Sequence, residues 1–344
     1  MATFDKILCI DVGRGTQDIL LYDRRKKIEN CLTLVLPSLA EVNARKLKKA
    51  VSQGKNPFFY GVNMGGFPLF NLTADHLRNG GRIYATRSSA VTFNDHLEES
   101  VEKGLVLVDD DWMGAKDEVY PIETKDIDLP LLEMILEPFE EGFDLVACAV
   151  QDHGAAPRGF SDRRFRMENY RKILDSRTPL SRMGFWKGEI PEYFTRMLAV
   201  ESLIEGNSFF MDTGLAAVLG CLEDETVAAK EEKIIINVGN GHTLAAYLTG
   251  EEIIGLWEHH TGKLTAEKID YYLAQLASGT VKDKEVFDDH GHGAYLAFKF
   301  SGKKVFTAVT GPNREILKGR GYYFACPHGN MMLSGAYGLM RACL

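Results

Sequence analysis

Two short stretches constrain this chain more than any others. KILCIDVGRGTQDILLYD, residues 6–23, reads as a strand, an acidic glycine-rich turn and a second strand. About 226 residues later, IIINVGNGHTLAAYLTG follows the same plan. Each has an apolar strand, a polar residue, Val-Gly-x-Gly, then a threonine and another strand. Aligned on that plan, Asp11 matches Asn237, Gly13 matches Gly239 and Gly15 matches Gly241, while Thr16 falls one position before Thr243. One such hairpin is often only a turn. Two at matching places predict two related half-domains facing each other.

The chemistry of the turns gives the pairing a purpose. Glycines let backbone N–H groups approach an anion closely, and a threonine hydroxyl adds a donor. A carboxylate just before the turn suits Mg²⁺, held largely through water. Two opposed turns would clamp a polyphosphate from both sides.

The intervening sequence supplies the rest of an α/β chain. Strands are expected at KILCIDV, DILLYD and ENCLTLVLP, followed by a helix over PSLAEVNARKLKKAVSQG that stops at Gly54. Residues 56–98 alternate apolar pieces with glycine pairs, and a helix is expected over Asn94–Lys103. LVLVDDDW is a short strand, LPLLEMILEPFEEG a helix limited by Pro138, and DLVACAVQDHG a buried strand with a loop. Arg158–Arg182 is polar and arginine-rich, and its end is hard to place. PEYFTRMLAVESLIEG reads as a helix with Pro191 in its first turn. SFFMDTGLAAVLGCL runs from a strand into a small-residue helix. After IIINV come strands TLAAYL and EIIGLWE, a helix over Thr265–Ala277, and KKVFTAVTGPNREIL as strand, Gly-Pro turn and helix start. The C-terminus ends in a small-residue helix.

Composition excludes several classes. The net charge is −8, and the densest basic run, Arg24–Lys27, is four residues long. A nucleic-acid partner bound through a broad basic face is therefore not expected. There is no signal-peptide core and no run of about 18 apolar residues, so a soluble cytoplasmic protein without a membrane span is expected. Six cysteines, Cys9, Cys31, Cys148, Cys221, Cys326 and Cys343, include no C-x-x-C pair and sit mostly in apolar runs, as small buried hydrophobes do.

The two hairpins resemble the first and second phosphate motifs of the actin-like ATPase superfamily, which includes Hsp70 chaperones, actin and the acetate and sugar kinases. MDTGLAAVLGCL is similar to its connecting helix, and VFTAVTGPNREIL and SGAYGL fall where its adenosine motif and closing helix belong. GVNMGGFPL, HLRNGGRIYAT, AVTFND, VQDHGAAP and HHTGKLT look like a prokaryotic family of unknown function within that superfamily, often labelled a pyruvate formate-lyase activating enzyme. Radical activating enzymes of that kind need a C-x-x-x-C-x-x-C site, which is absent from this sequence.

The resemblance implies two domains with ribonuclease H-like halves around a nucleotide cleft: residues 1–205, with an insertion at about 55–130, and residues 206–344, whose last helix packs back on the first domain. It implies ATP and Mg²⁺ as cofactors. Asp11 would organise Mg²⁺. Gly13, Arg14, Gly15, Thr16 and Gln17 would line the phosphates, opposite Gly239, Asn240, Gly241, His242 and Thr243. Gly311 and Pro312 would lie near the adenosine, and Asp152 or Asp212 would orient a water or accept a proton. The second motif usually begins with Asp; Asn237 stands here and cannot act as a base. An ATPase or kinase acting on a small molecule or protein is the first expectation. A non-catalytic nucleotide-binding activator and a metal-dependent carbamoyl or acyl transferase are the alternatives, and a homodimer is left open.

Other clusters have a plain and a functional reading. His290 and His292, and with them His259 and His260, read first as exposed polar loop, with metal binding the alternative for both pairs. Asp152-His153-Gly154 follows a buried strand, where open α/β sheets place active residues. Asn63–Gly66 and Gly80-Gly81 are either a substrate loop or turn glycines. The arginines at 158, 163, 164, 166 and 171 read as a solvated, paired face before an acid-binding one. Trp257 reads as core.

Overall fold

Residues 4–112, 114, 118–297 and 305–344 are described by a computed structural model. The chain opens with three antiparallel strands, β1 (Lys6–Val12), β2 (Thr16–Asp23) and β3 (Leu32–Pro37). The helix Leu39–Ser52 follows, capped by the Ser38 hydroxyl and closed by Gly54 at φ +67°. Four strands, β4 (Asn56–Gly61), β5 (Ile83–Thr86), β6 (Leu105–Val108) and β7 (Val119–Thr124), then form a separate parallel sheet in the order β6-β5-β4-β7. The chain returns to the first sheet with β8 (Leu145–Val150), β9 (Phe185–Trp186) and β10 (Asn207–Met211).

The second large sheet is built from β11 (Glu232–Val238), β12 (His242–Thr249), β13 (Glu252–His260), β14 (Gly293–Leu296), β15 (Phe306–Thr310) and β16 (Tyr323–Phe324). Lys303 and Lys304, expected at the start of β15, lie outside the described residues. The orders are β3-β2-β1-β8-β10-β9 and β14-β13-β12-β11-β15-β16. Both contain a three-stranded antiparallel meander whose first strand pairs parallel with the fourth, which a fifth then joins. That is the ribonuclease H-like plan, present twice, and the fold is the actin-like ATPase fold.

Alternation along the central strands distributes three cores. Ile7 and Cys9 face inward, toward helices Thr213–Gly220 and Ser334–Cys343, which lie between the two large sheets. Leu8 and Ile10 face outward, under Leu132, Leu136 and Met197. On the second sheet Ile234, Ile236 and the fully buried Trp257 pack against helix Ala266–Ala277. Strands buried on both faces explain the near-continuous apolar runs of β1, β8 and β11. Cys9, Cys31, Cys148 and Cys221 are buried in these layers, Cys343 is half-buried and Cys326 exposed; all six are free. Among the described residues, no helix is long and apolar enough to cross a membrane.

Three segments differ from expectation. The arginine-rich stretch contains a helix, Asp162–Leu174, whose buried face carries Arg166, Met167 and Tyr170. The helix expected from Pro191 starts only at Thr195. Ala155 N–H donates to the Tyr193 carbonyl at 2.7 Å and Phe194 N–H to that of Pro191, so residues 191–194 form a turn. After the Gly-Pro turn, the helix start is a single 3₁₀ turn, Arg314–Leu317.

The two central helices touch backbone to backbone. A Cβ on Gly220 would lie 1.7 Å from the Ser334 carbonyl oxygen, and one on Gly338 would lie 1.9 Å from that of Ala216. Gly338→Ala should therefore cost at least about 3 kcal/mol in denaturant unfolding, because neither helix can yield without moving a sheet. Gly142→Ala, with open space around it, should change stability by less than about 0.5 kcal/mol.

Candidate functional site

The two glycine loops lie tip to tip. Gly13 N–H donates to the Thr16 carbonyl at 2.9 Å, and Gly239 N–H to the His242 carbonyl at 3.0 Å, so both hairpins close alike. A Cβ on Gly15 would lie 3.2 Å from Asn240 Nδ2, and one on Gly241 would lie 3.4 Å from Arg14 Cδ. The opposed loops separate a large cleft of about 670 Å³ from a narrow space of about 80 Å³.

The narrow space is acidic. Asp11 and Asp18 are register partners across the first hairpin and both are buried. The Thr213 hydroxyl donates to Asp11 Oδ1 at 2.5 Å, while Asp18 Oδ1 has no hydrogen-bond partner among the described residues. Burial, reinforced by the neighbouring Asp18, raises the Asp11 carboxyl to about 8 despite the Thr213 hydrogen bond. Burial raises Asp18 to about 7 against the pull of the Thr16 hydroxyl. A Cβ on Gly335 would fall 1.9 Å from Asp11 Oδ2, so glycine is required where the last helix meets this acid. Gly311, at φ +95°, and Pro312 lie at the far end. Gln17 turns away and donates to the Pro37 carbonyl. Thr243 is buried against the Thr261 hydroxyl, which in turn donates to the Gly239 carbonyl.

The large cleft is walled by the first sheet, the second sheet and the loop after β4, which brings Asn63–Phe67 into the lining; Gly80 and Gly81 lie outside it. Arg14 stacks 3.3 Å over the Phe67 ring and has no carboxylate partner among the described residues. Arg196 donates to both oxygens of Asp126, at 2.6 and 2.9 Å, and to the Gln151 carbonyl. Asp152 accepts from the backbone N–H groups of Gly154, Arg196 and Met197; burial outweighs these bonds and raises its carboxyl to about 6.

In the cleft floor, Arg166 donates to both oxygens of Glu258, at 2.7 and 2.8 Å, and to Asp212 Oδ2 at 2.8 Å. Asp212 also accepts from the Tyr170 hydroxyl and from Gly214 N–H, capping helix Thr213–Gly220. Burial alone would raise the Glu258 carboxyl, but the Arg166 charge holds it below its ordinary range. The arginine-face reading thus holds for Arg171, which pairs with Asp283, and fails for Arg166, only 3% exposed.

The histidines also depart from expectation. His292, 1% exposed, is no part of a solvated loop: its Nε2 lies 3.0 Å from His153 Nε2. With His242, whose buried Nε2 has no hydrogen-bond partner among the described residues, these rings place one nitrogen each within 4.8 Å of one another. His260 borders the group, while the fully buried His259 faces Asp289 instead. Burial lowers the basicity of His153, His242 and His292, His242 to about 3, so all three are neutral imidazoles at pH 7.

Sequence reasoning missed Glu258, Asp126 and Arg196. Glu258 had a usable signal: an acid inside the apolar strand EIIGLWEHH must find a buried partner.

The sequence model of one family, "Putative pyruvate format-lyase activating enzyme (DUF1786)", matches residues 64–316. No curated protein matches the sequence. Among solved structures, similarity extends to a protein "with actin-like ATPase fold and unknown function" from Bacteroides thetaiotaomicron VPI-5482. It has 8% identity and a TM-score of 0.39, over 98% of this chain and 96% of that one. It extends also to the ethanolamine utilization protein EutJ from Carboxydothermus hydrogenoformans, with 10% identity and a TM-score of 0.32, over 98% of this chain and 89% of that one. A "putative sugar kinase" from Cytophaga hutchinsonii shows 12% identity and a TM-score of 0.29, over 98% of both chains.

Asp18 gives a pH prediction. Its folded pKa of about 7 lies above the ordinary 3.8. Unfolding therefore releases a proton between those values, and stability is highest below about 4 and falls as pH rises through about 7. Asp18→Asn, unable to ionise, should have a Tm close to wild type at pH 4 and several degrees higher at pH 8. An equal difference at both pH values would show that Asp18 is ionised in the folded protein.

Proposed function

The chain belongs to the DUF1786 family, and from that premise and the geometry of its cleft we propose a nucleotide-dependent protein: an ATP- and Mg²⁺-dependent ATPase or kinase. The observation that carries this reading is the pair of hairpin loops, closed by the same hydrogen bond and facing each other beside a buried carboxylate. Residues 1–205 and 206–344 would act as two domains that part and close around the nucleotide.

The residues present suit the group. Glycine loops offer N–H donors, Arg14 has no ion pair with a carboxylate among the described residues, and beside Asp11 the buried Asp18 Oδ1 has no hydrogen-bond partner among them. Bound there, Mg²⁺ would neutralise phosphate charge. Asp11 and Asp18 would hold it, Gly13–Thr16 and Gly239–Gly241 would orient the phosphates, and Gly311 and Pro312 would border the nucleoside. The space of about 80 Å³ beside Asp11 and Gly311 takes a hydrated ion but not a nucleoside, so binding requires the loop tips to separate.

Asn237 supports slow turnover. It supplies no base on the second loop, and Asp212 is engaged by Arg166, Tyr170 and Gly214. Asp152, raised to about 6 and lining the cleft, is the acid proposed to receive a proton, through a carboxylate that also accepts from three backbone N–H groups. The substrate would occupy the 670 Å³ cleft between Arg14 and Arg196.

Calorimetry and thermal shift with Mg-ATP, Mg-ADP and a non-hydrolysable analogue test the reading. Saturable binding is expected, and Arg14→Ala should weaken it roughly ten- to a hundredfold, the effect of losing a charge-assisted phosphate contact. Asp11→Ala should remove its Mg²⁺ dependence. Silence with all three nucleotides would falsify the proposal.

A further inference from the structure

We propose that His153, His242 and His292 form a binding site for one divalent transition metal of the Zn²⁺ or Fe²⁺ class, which joins the two large sheets across the cleft. The inference goes beyond the nucleotide reading and does not depend on it.

Three separate segments deliver the rings. His153 lies in the loop after β8 of the first sheet, His242 begins β12, and His292 precedes β14. Three imidazoles from both halves thus converge within 4.8 Å, with no cysteine among them. The plainest alternative is a hydrogen bond between His153 Nε2 and His292 Nε2, 3.0 Å apart. That bond requires one nitrogen to carry a proton and the other a lone pair. It also leaves the buried His242 Nε2 without a hydrogen-bond partner among the described residues. One metal ion would accept a lone pair from all three nitrogens once the widest pair draws slightly inward.

The surroundings fit a ligand set. His292 is fixed by its backbone N–H, which donates to the Glu258 carbonyl at 2.9 Å. Its Nδ1 lies 3.6 Å from Glu258 Oε2, the carboxylate locked by Arg166. A ligating histidine whose other nitrogen faces a carboxylate is a common supporting arrangement. Imidazoles alone favour Zn²⁺, Fe²⁺, Co²⁺ or Ni²⁺ over Mg²⁺ and Ca²⁺, which prefer oxygen. The site is therefore chemically distinct from the acidic one at Asp11. His153 and His242 also line the large cleft, as does His260. Three histidines with an open side toward a cleft leave a coordination position for a substrate oxygen or water.

Because His153 belongs to one half and His242 and His292 to the other, the ion would act as a bridge. Its removal should free the halves to separate even with no nucleotide present.

The test uses untagged full-length protein stripped with a chelator, then titrated with Zn²⁺ and with Co²⁺ in millimolar Mg²⁺ and no nucleotide. One equivalent should bind, Co²⁺ should show the visible absorption of a low-coordinate nitrogen site, and Tm should rise. His153→Ala and His292→Ala should lose the equivalent and the Tm gain, while the exposed His290→Asn keeps both. If either alanine variant does not fold, His153→Gln, which keeps a polar side chain of similar size, takes its place. Substoichiometric binding to the wild-type protein, or one equivalent retained in the His153 and His292 variants, overturns the proposal. Failure to bind ATP leaves it standing, since no arm contains nucleotide.

Discussion

A single guanidinium, buried and shared between two carboxylates from distant parts of the chain, ties the two large sheets together in the cleft floor. Arg166 comes from helix Asp162–Leu174, Asp212 from the end of β10, and Glu258 from β13. Such a group adds little net stability, because desolvating three charges offsets most of their attraction. Its effect is on specificity: each charge is costly to bury without the others, so the network favours the mutual placement of the sheets seen here. That placement brings Asp152, through its carbonyl to Arg166, and His292, through its backbone to Glu258, to the same place. The cleft floor is thus a consequence of one ion network, and the glycine-mediated contact between the two central helices sets the distance at which the sheets can share it.

The duplicated plan makes its asymmetry informative. Strand for strand, the hairpins β1–β2 and β11–β12 are equivalent and their turns close by the same bond. Their side chains have diverged in opposite directions. The first carries Asp11 and Asp18, two buried acids on adjacent strands. The second carries Asn237 and Leu244 at the same register, so no charge is buried there. The histidines gather instead around the second turn, at 242 and 260, with 153 and 292 brought to them. One jaw thus gathers carboxylates and the other imidazoles.

How much of this was legible follows from how local each signal is. The hairpins, the central strands and the capped helix Leu39–Ser52 announce themselves within a dozen residues, through near-continuous apolar runs, glycine turns and a serine cap. Arg166 and His292 do not. The first sits in a run of charges and the second in DDHGHG, and both compositions are those of solvated surface. Their burial is imposed by segments more than 90 residues away: Glu258 for Arg166, His153 for His292. No window of sequence contains that information. Pro191 misled for a related reason: its helix-starting preference yielded to a tertiary hydrogen bond from Ala155 to Tyr193. Glu258 is the exception, since a lone acid in an apolar strand advertises a hidden partner.

The geometry also decides which residues can serve as clean probes. Gly13, Arg14, Thr213, Asn237, Gly239 and Asn240 border both the acidic space and the large cleft. A change at any of them alters both cavities. His242 follows the same loop, and its carbonyl closes the turn through Gly239, so truncating it disturbs the phosphate loop along with the imidazole group. His153 and His292 do not border the acidic space, and Asp18 does not border the large cleft. These three, like Asp11 on the acidic side and His260 on the cleft side, each border no more than one of the two spaces, so a change there leaves the other space intact.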